Sequence, residues 1–127
     1  NERELYKYGN FCDGNCVESY KNKHQKDGFP YTSPVASFKP NDLDLYDMGG
    51  NVFEWCWDWH NYDYYGISEK SDPRGPAVGS FGFRVKRGGS WLEKTDAMET
   101  CNRSSYAPFS RRNTIGFRLC RTALAGG

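Results

Sequence analysis

Long apolar runs are missing from this 127-residue chain. No stretch approaches the roughly 20 residues that a bilayer-spanning helix needs, so insertion by an apolar helix is not expected. Aliphatic residues are scarce, the mean hydropathy is −0.86, and no sustained helical period runs through any segment, which speaks against a helical bundle. Charge of one sign is lacking too. The net charge is +1 and the pI about 7.8, so nothing favours nucleic acid or an acidic substrate as partner. Histidine is nearly absent: only His24 and His60 occur, and no Ser-His-Asp or Cys-His arrangement is visible. The spacing Cys12-x-x-x-Cys16 could be half of a zinc site, but no second pair completes it. No secretory signal is visible in the sequence as it stands.

Aromatics are what the chain has instead, at 17% of residues, together with 14 glycines. The core must be assembled from Trp, Tyr and Phe, each bringing a large buried area. The length fits one small domain, residues 1–127, of loop-rich architecture with short strands. Residues 2–8 suit a short helix closed by Gly9. Asn10 to Pro40 is rich in turn formers and reads as irregular backbone, with a short strand at Val35–Phe38. Val52 to Trp59 alternates, with Phe53, Trp55, Trp57 and Trp59 on one face, and predicts a half-buried strand. Residues 60–80 read as a long surface loop, in which Tyr62 to Tyr65 form an exposed cluster. Phe81 to Arg87 predicts a strand leading into the turn Gly88-Gly89-Ser90-Trp91, residues 92–114 are polar and irregular, and Ile115 to Arg121 predicts a last strand. Phe53, Trp55, Trp57, Trp59 and Trp91 read first as core rather than as a carbohydrate platform. Five cysteines leave at least one free thiol; Cys12–Cys16 can pair locally, and Cys56 and Cys120 read as core.

Three segments carry a more specific signal: Asn41…Leu45-Tyr46-Asp47-Met48-Gly49-Gly50-Asn51-Val52-Phe53-Glu54-Trp55, then Arg84-Val85-Lys86-Arg87-Gly88-Gly89-Ser90-Trp91, then Arg103…Pro108…Arg111…Ile115-Gly116-Phe117-Arg118. In this order they resemble the formylglycine-generating-enzyme-like (sulfatase-modifying-factor) family, from about Asn10 to Arg121. The resemblance implies an α+β, C-type-lectin-like fold of the formylglycine-generating-enzyme type, loop-rich with short antiparallel strands and pared down at its N-terminus. The family's oxidases place two cysteines, five apart, shortly after the Gly-Gly-Ser-aromatic turn, where soft thiolates hold copper. Leu92 to Thr100 contains no cysteine and Cys101 stands alone, so the resemblance implies the scaffold without the oxidase chemistry. Nor do two histidines supply the triad of the family's iron-dependent sulfur-transfer enzymes.

The family's calcium sites carry over position by position. One falls on Asn10, the Phe11 carbonyl, Asp27 and the Phe29 carbonyl; the other on Asp47, the Gly50 and Val52 carbonyls, and Glu54. Turns with carboxylates and free carbonyls provide the oxygen ligands that calcium requires. The competing reading makes Asp47 a turn cap and Glu54 a strand-end carboxylate bonded within the frame.

The layout of residues 92–114 resembles the variable proteins of diversity-generating retroelements, many of which use this fold. Their variation arises at adenines, typically in Asn codons, which reach Ser, Tyr, Ala, Phe, Arg and Thr but never Lys, Glu, Met, Gln or Trp. Every position from Asn102 to Thr114 outside Arg103, Pro108 and Arg111 is reachable, whereas Glu93, Lys94, Met98 and Glu99 are not. The resemblance thus implies a non-catalytic binding domain whose ligand contacts are Trp91, Leu92, Asn102, Ser104, Ser105, Tyr106, Ala107, Phe109, Ser110, Arg112, Asn113 and Thr114. Tyr, Ser and Asn in such a segment suit adaptable recognition. The expected partner is a protein or other surface ligand, met outside the cell, at a cell surface or on a virion. A generic calcium-stabilised family domain, with 92–114 an ordinary loop, is the alternative. Arg87, Arg103, Arg111 and Arg118 are expected to pair within the frame.

Overall fold

The computed structural model describes residues 2–121, so residue 1 and residues 122–127 of the expected domain lie outside the described residues. The chain enters as a 3-10 helix, Glu2–Lys7, closed where the Gly9 amide donates to the Leu5 carbonyl at 3.2 Å. From Tyr8 to Val52 no strand forms. Side chains of Asp and Asn satisfy the backbone there instead: Asp13 accepts from the Asn15 amide at 2.7 Å, and Asn41 from Leu43 and Leu45 at 2.9 and 3.0 Å. Such local bonds compete with regular structure, which is why this polar stretch stays irregular yet ordered. Cys12 and Cys16 form a disulfide within this stretch and both are buried. Val35–Phe38 is not a strand. Ala36 takes φ +57° and its amide donates to the Asp47 carboxylate at 2.7 Å, so the segment turns.

A four-stranded sheet occupies the rest, β1 (Phe53–Trp59), β2 (Arg84–Arg87), β3 (Ser104–Tyr106) and β4 (Ile115–Gly116), with one short helix, α1 (Tyr64–Ile67). The strand order is β3-β2-β1-β4. β1 pairs antiparallel with β2 and β2 with β3, whereas β4 runs parallel to β1. The sheet is therefore mixed, not purely antiparallel. A parallel neighbour requires a long crossover, and residues 60–114, which include β2 and β3, connect β1 to β4. The expected strands at either end shrink. Ser80–Gly82 is a 3-10 turn with Phe81 at φ +58°, leaving β2 to start at Arg84, and pairing stops after Gly116, so Phe117, Leu119 and Cys120 are exposed rather than core.

The expected alternation of β1 fails at one place. Trp55 pairs with Lys86 and Trp59 with Arg84, so two more residues run along β1 than along β2 between those pairs. A bulge of this kind re-aims side chains, and Trp57 is 84% exposed as a result. The expectation that Trp57 is core is overturned. Phe53 and Trp91 are buried, Trp55, Cys56 and Trp59 half-buried, and the Arg84 guanidinium covers Trp59 at 3.8 Å from the ring centroid. Phe11 and Val85, with 1% and 0% exposure, complete the core.

Two glycine turns lock this arrangement. The Gly50 amide donates to the Gly88 carbonyl at 2.6 Å, the Asn51 amide to the Asn10 carbonyl at 2.7 Å and the Trp91 amide to the Asn51 carbonyl at 2.9 Å. Gly50 has φ +78°, and a Cβ there would stand 2.1 Å from the Asn10 carbonyl oxygen. Gly50→Ala is therefore expected to destabilise by about 3 kcal/mol or more, combining left-handed strain with a backbone clash. Gly66→Ala, in α1 with nothing within 4 Å, should be neutral or stabilising by up to about 1 kcal/mol. Denaturant midpoints of the two variants check the contrast; equal effects would contradict it.

Candidate functional site

Both ends of the segment after the Gly88–Trp91 turn are held by the frame. Trp91 packs edge-on against Tyr31, with ring centroids 5.3 Å apart, and its indole nitrogen donates to the Asn113 carbonyl at 3.3 Å. With 5% exposure, Trp91 supports the segment from beneath and is not itself displayed, which corrects its place among the contact residues. Leu92 is half-buried, its carbonyl accepting from the Tyr20 hydroxyl at 2.9 Å. A 3-10 turn at Thr95–Met98 follows. At the far end, the Phe53 amide donates to the Thr114 carbonyl at 2.8 Å, continuing into β4.

Between these anchors the chain ranges from half-buried to exposed. None of Asn102, Ser104, Ser105, Tyr106, Ala107, Phe109, Ser110, Arg112, Asn113 and Thr114 is buried, and Arg112 and Asn113 are exposed outright. Phe109 is 85% exposed. Ser104, Ser105 and Tyr106 form β3 at the sheet's edge, opposite Lys86, Val85 and Arg84. Ser104 and Tyr106 thus share the face of Lys86 and Arg84. The Arg112 guanidinium donates to the Tyr106 hydroxyl at 2.8 Å. Turns at Ala107–Ser110 and Arg112–Ile115 shape the rest.

Arginines tie this segment to the frame, as expected for three of the four. Arg103 pairs with Asp58. Arg87 donates to the carbonyls of Thr100 and Asn102 at 2.9 and 3.0 Å. Arg118 bonds both Glu54 carboxylate oxygens and the carbonyls of Tyr46 and Asp47 at 3.0 and 3.1 Å. Arg111 is exposed and makes no ion pair among the described residues. Lys86 carries no signal in the sequence, yet its stem is buried and its ammonium sits 3.1 Å from the Phe53 ring centroid. Burial pulls its pKa below the ordinary lysine value, against the attraction of Glu93.

The structure brings the expected calcium-ligand residues together in two places. Asp47, Gly50, Val52 and Glu54 line one cavity of about 360 Å³. There the Asp47 Oδ1 is buried with no hydrogen-bond partner, while Arg118 already holds Glu54. In the other place Asp27 accepts from the Phe11 and Phe29 amides at 3.2 and 2.8 Å. Asn10 is buried, donating its amide to the Tyr31 carbonyl at 2.6 Å, and its Oδ1 again has no partner. An orphaned buried oxygen is costly, and one stands in each group, which fits an oxygen-seeking cation. Among the described residues no three His, Cys, Asp or Glu side chains converge as a metal cluster, so a cation would lean on Asn and carbonyl oxygens. Burial pushes the Asp27 carboxyl up to about 6, with repulsion from Asp13 adding and the Phe29 and Phe11 amides opposing.

The sulfatase-modifying factor enzyme 1-like domain model matches residues 1–123. The chain belongs to that family. It is similar to the formylglycine-generating enzyme of Streptomyces coelicolor, 41% identical over 77% of this chain and 32% of that protein. It is also similar to the serine/threonine-protein kinase pkn1 of Chlamydia pneumoniae, 45% identical over 71% of this chain and 14% of that one. Among solved structures, Treponema denticola variable protein 1 superposes with TM-score 0.72 at 35% identity, over 92% of this chain and 37% of its own. PvdO from Pseudomonas aeruginosa superposes at 0.70 and 31%, over 88% and 38%. The chain thus spans well under half the length of the relatives it matches. These likenesses bear out the family and its loop-rich α+β fold.

The raised Asp27 carboxyl sets a pH dependence. Its folded value, about 6, lies above the ordinary 3.8, so its contribution to stability is full below the unfolded value and is lost as pH rises through the folded one. Cation-free protein should lose melting temperature between about pH 4 and about pH 6, and Asp27→Asn should flatten that slope. An unchanged slope in the variant would assign the dependence to other groups.

Proposed function

We propose that the chain is a non-catalytic ligand-binding domain that displays a variable C-terminal surface, about residues 92–114, on a C-type-lectin-like frame. The observation that carries this reading is the contrast within one segment. Its ends are pinned by Trp91, Arg103 and β4, while the ten positions between Asn102 and Thr114 that Asn codons can reach all avoid burial. None of these positions belongs to the buried core, so the frame is expected to tolerate many sequences there. The likeness to the Treponema denticola variable protein supports the same use. The partner is a protein or other surface ligand, not nucleic acid and not a membrane interior. The Cys12–Cys16 disulfide supports an oxidising setting, outside the cell, at a surface or on a virion.

Calcium is proposed as a structural cofactor, held by Asn10, Asp27 and the Phe11 and Phe29 carbonyls, and by Asp47, Glu54 and the Gly50 and Val52 carbonyls. The two orphaned oxygens support it. A cation bound only by the folded state would add stability by mass action.

The identity to formylglycine-generating enzymes favours a second reading, copper-dependent oxidation. That chemistry needs paired thiolates, and Leu92–Thr100 holds none. Cys101 stands alone in this segment and is exposed, with its thiol 3.7 Å from the Glu99 carboxylate.

A display library randomised at Ser104, Ser105, Tyr106, Ala107, Phe109, Ser110, Arg112, Asn113 and Thr114 tests the proposal. Most members should melt within about 5 °C of the parent, as surface substitutions do, and selection should yield binders to unrelated proteins. Widespread unfolding, or no binders from a well-folded library, would overturn it. Calcium should raise the melting temperature and a chelator lower it, by less in Asp47→Asn. Copper should give no thiolate charge-transfer band that Cys101→Ala abolishes.

A further inference from the structure

Around the Arg103–Asp58 ion pair lies a groove to which the segment 92–114 contributes only Arg103. It encloses about 520 Å³ between β1 and the loop after α1. The bulge in β1 turns Trp57 out to form one wall, 84% exposed, and Tyr65, 66% exposed, stands on another. An exposed Trp is costly where nothing covers it, and this one comes with a break in strand register.

The groove is built rather than incidental. Gly75 has φ +84°, and a Cβ there would fall 2.3 Å from the Asp58 Cβ, so only glycine lets the loop sit this close. The Gly75 amide donates to the Tyr64 hydroxyl at 2.9 Å, pinning both ends of the loop together. Arg87 reaches the Tyr65 hydroxyl at 3.1 Å, and the Arg103 guanidinium lies 5.0 Å from the Tyr65 ring centroid. The side chain of Arg103 is only 9% exposed. Three arginines, Arg74, Arg87 and Arg103, face one carboxylate, Asp58. Arg87 and Arg103 are committed to the frame, whereas Arg74 is exposed and makes no ion pair among the described residues.

We propose that this groove is a fixed binding site for an acidic sugar, a carboxylate-bearing pyranose at a glycan end. The ring's apolar face stacks on Trp57 and Tyr65, its hydroxyls meet Asp58 and the tyrosine hydroxyls, and its carboxylate meets Arg74. Aromatic walls alternating with donors and acceptors suit a polyhydroxylated ring, and the excess of guanidinium selects the anionic member. An aromatic peptide anchor fits less well, because peptide hot spots fill enclosed pockets and these walls are open.

Titration of the full chain with sialyllactose, read by tryptophan fluorescence and calorimetry, tests the site. Saturable binding is expected, weakened roughly tenfold or more by Arg74→Gln and by Trp57→Ala, as loss of a charge-assisted bond or a stacking face implies. Both side chains are exposed, so melting temperatures should hold. Lactose should bind at least about tenfold more weakly. No saturation by about 10 mM, equal binding of lactose, unaffected variants, or displacement by a glutamate-rich peptide would each overturn the proposal. Trp57, Tyr65 and Arg74 lie outside residues 92–114, so the site stands or falls apart from the variable-surface reading.

Discussion

Everything in this fold hangs on the contact between the Gly49–Asn51 turn and the Gly88–Trp91 turn, with Asn10 pressed against the first. Three backbone hydrogen bonds of 2.6–2.9 Å join the three strands of chain at this point. They work only because Gly50 approaches the Asn10 carbonyl more closely than any side chain allows. From the junction the chain leaves in four directions: back to the disulfide-bonded entry, forward into β1, back along β2, and out through Trp91 into the displayed segment. A small domain with few aliphatic residues cannot rely on a large core. Satisfied backbone at one crowded point, with Phe11, Phe53, Val85 and Trp91 beside it, takes the place of one.

The same junction explains which parts of the structure were legible in the sequence. Motifs that require a particular backbone, such as Gly49-Gly50-Asn51 and Gly88-Gly89-Ser90-Trp91, announce themselves because few residues can replace them. Arginines that cap carbonyls and carboxylates were legible for a related reason, since Arg118 and Arg103 stand in fixed register with Glu54 and Asp58. What escaped was set by packing between segments far apart in sequence. The alternation of Phe53, Trp55, Trp57 and Trp59 predicts four equivalent rings, and no local signal marks the bulge that turns Trp57 outward. The last strand was overread because Phe117 and Leu119 alternate, yet β4 has a partner only at Phe53 and Glu54. The displayed positions from Asn102 were legible as a group, whereas the burial of Trp91 depends on Tyr31, sixty residues away in the chain.

The surroundings of Asp47 and Glu54 join the end of the sheet to its beginning. Arg118 holds Glu54 with three hydrogen bonds and caps the Tyr46 and Asp47 carbonyls. An isolated pair this exposed contributes little to stability. Its geometric effect is larger, because it clamps the chain just after β4 to the turn just before β1. A cation at Asp47 would share Glu54 with that guanidinium and draw the same two segments together. The proposed calcium would thus act in the same brace as Arg118, on the side where the Asp47 Oδ1 has no hydrogen-bond partner.

Arg103 stands where two surfaces meet. Its neighbours Ser104 and Ser105 open the displayed strand, while its own side chain turns inward to Asp58 and stacks on Tyr65 beneath the groove. Arg87 repeats the pattern from β2, holding the carbonyls of Thr100 and Asn102 with one nitrogen and the Tyr65 hydroxyl with another. The backbone from Thr100 to Arg103 is thereby fixed by residues that also line the groove. Most side chains on the displayed face can change without moving this floor, because the bonds that set it run mainly through the Thr100 and Asn102 carbonyls and Arg103, with the Asn102 side chain adding one to the Asp96 carbonyl. The proposed variable surface would thereby stand beside the proposed groove on a shared backbone floor.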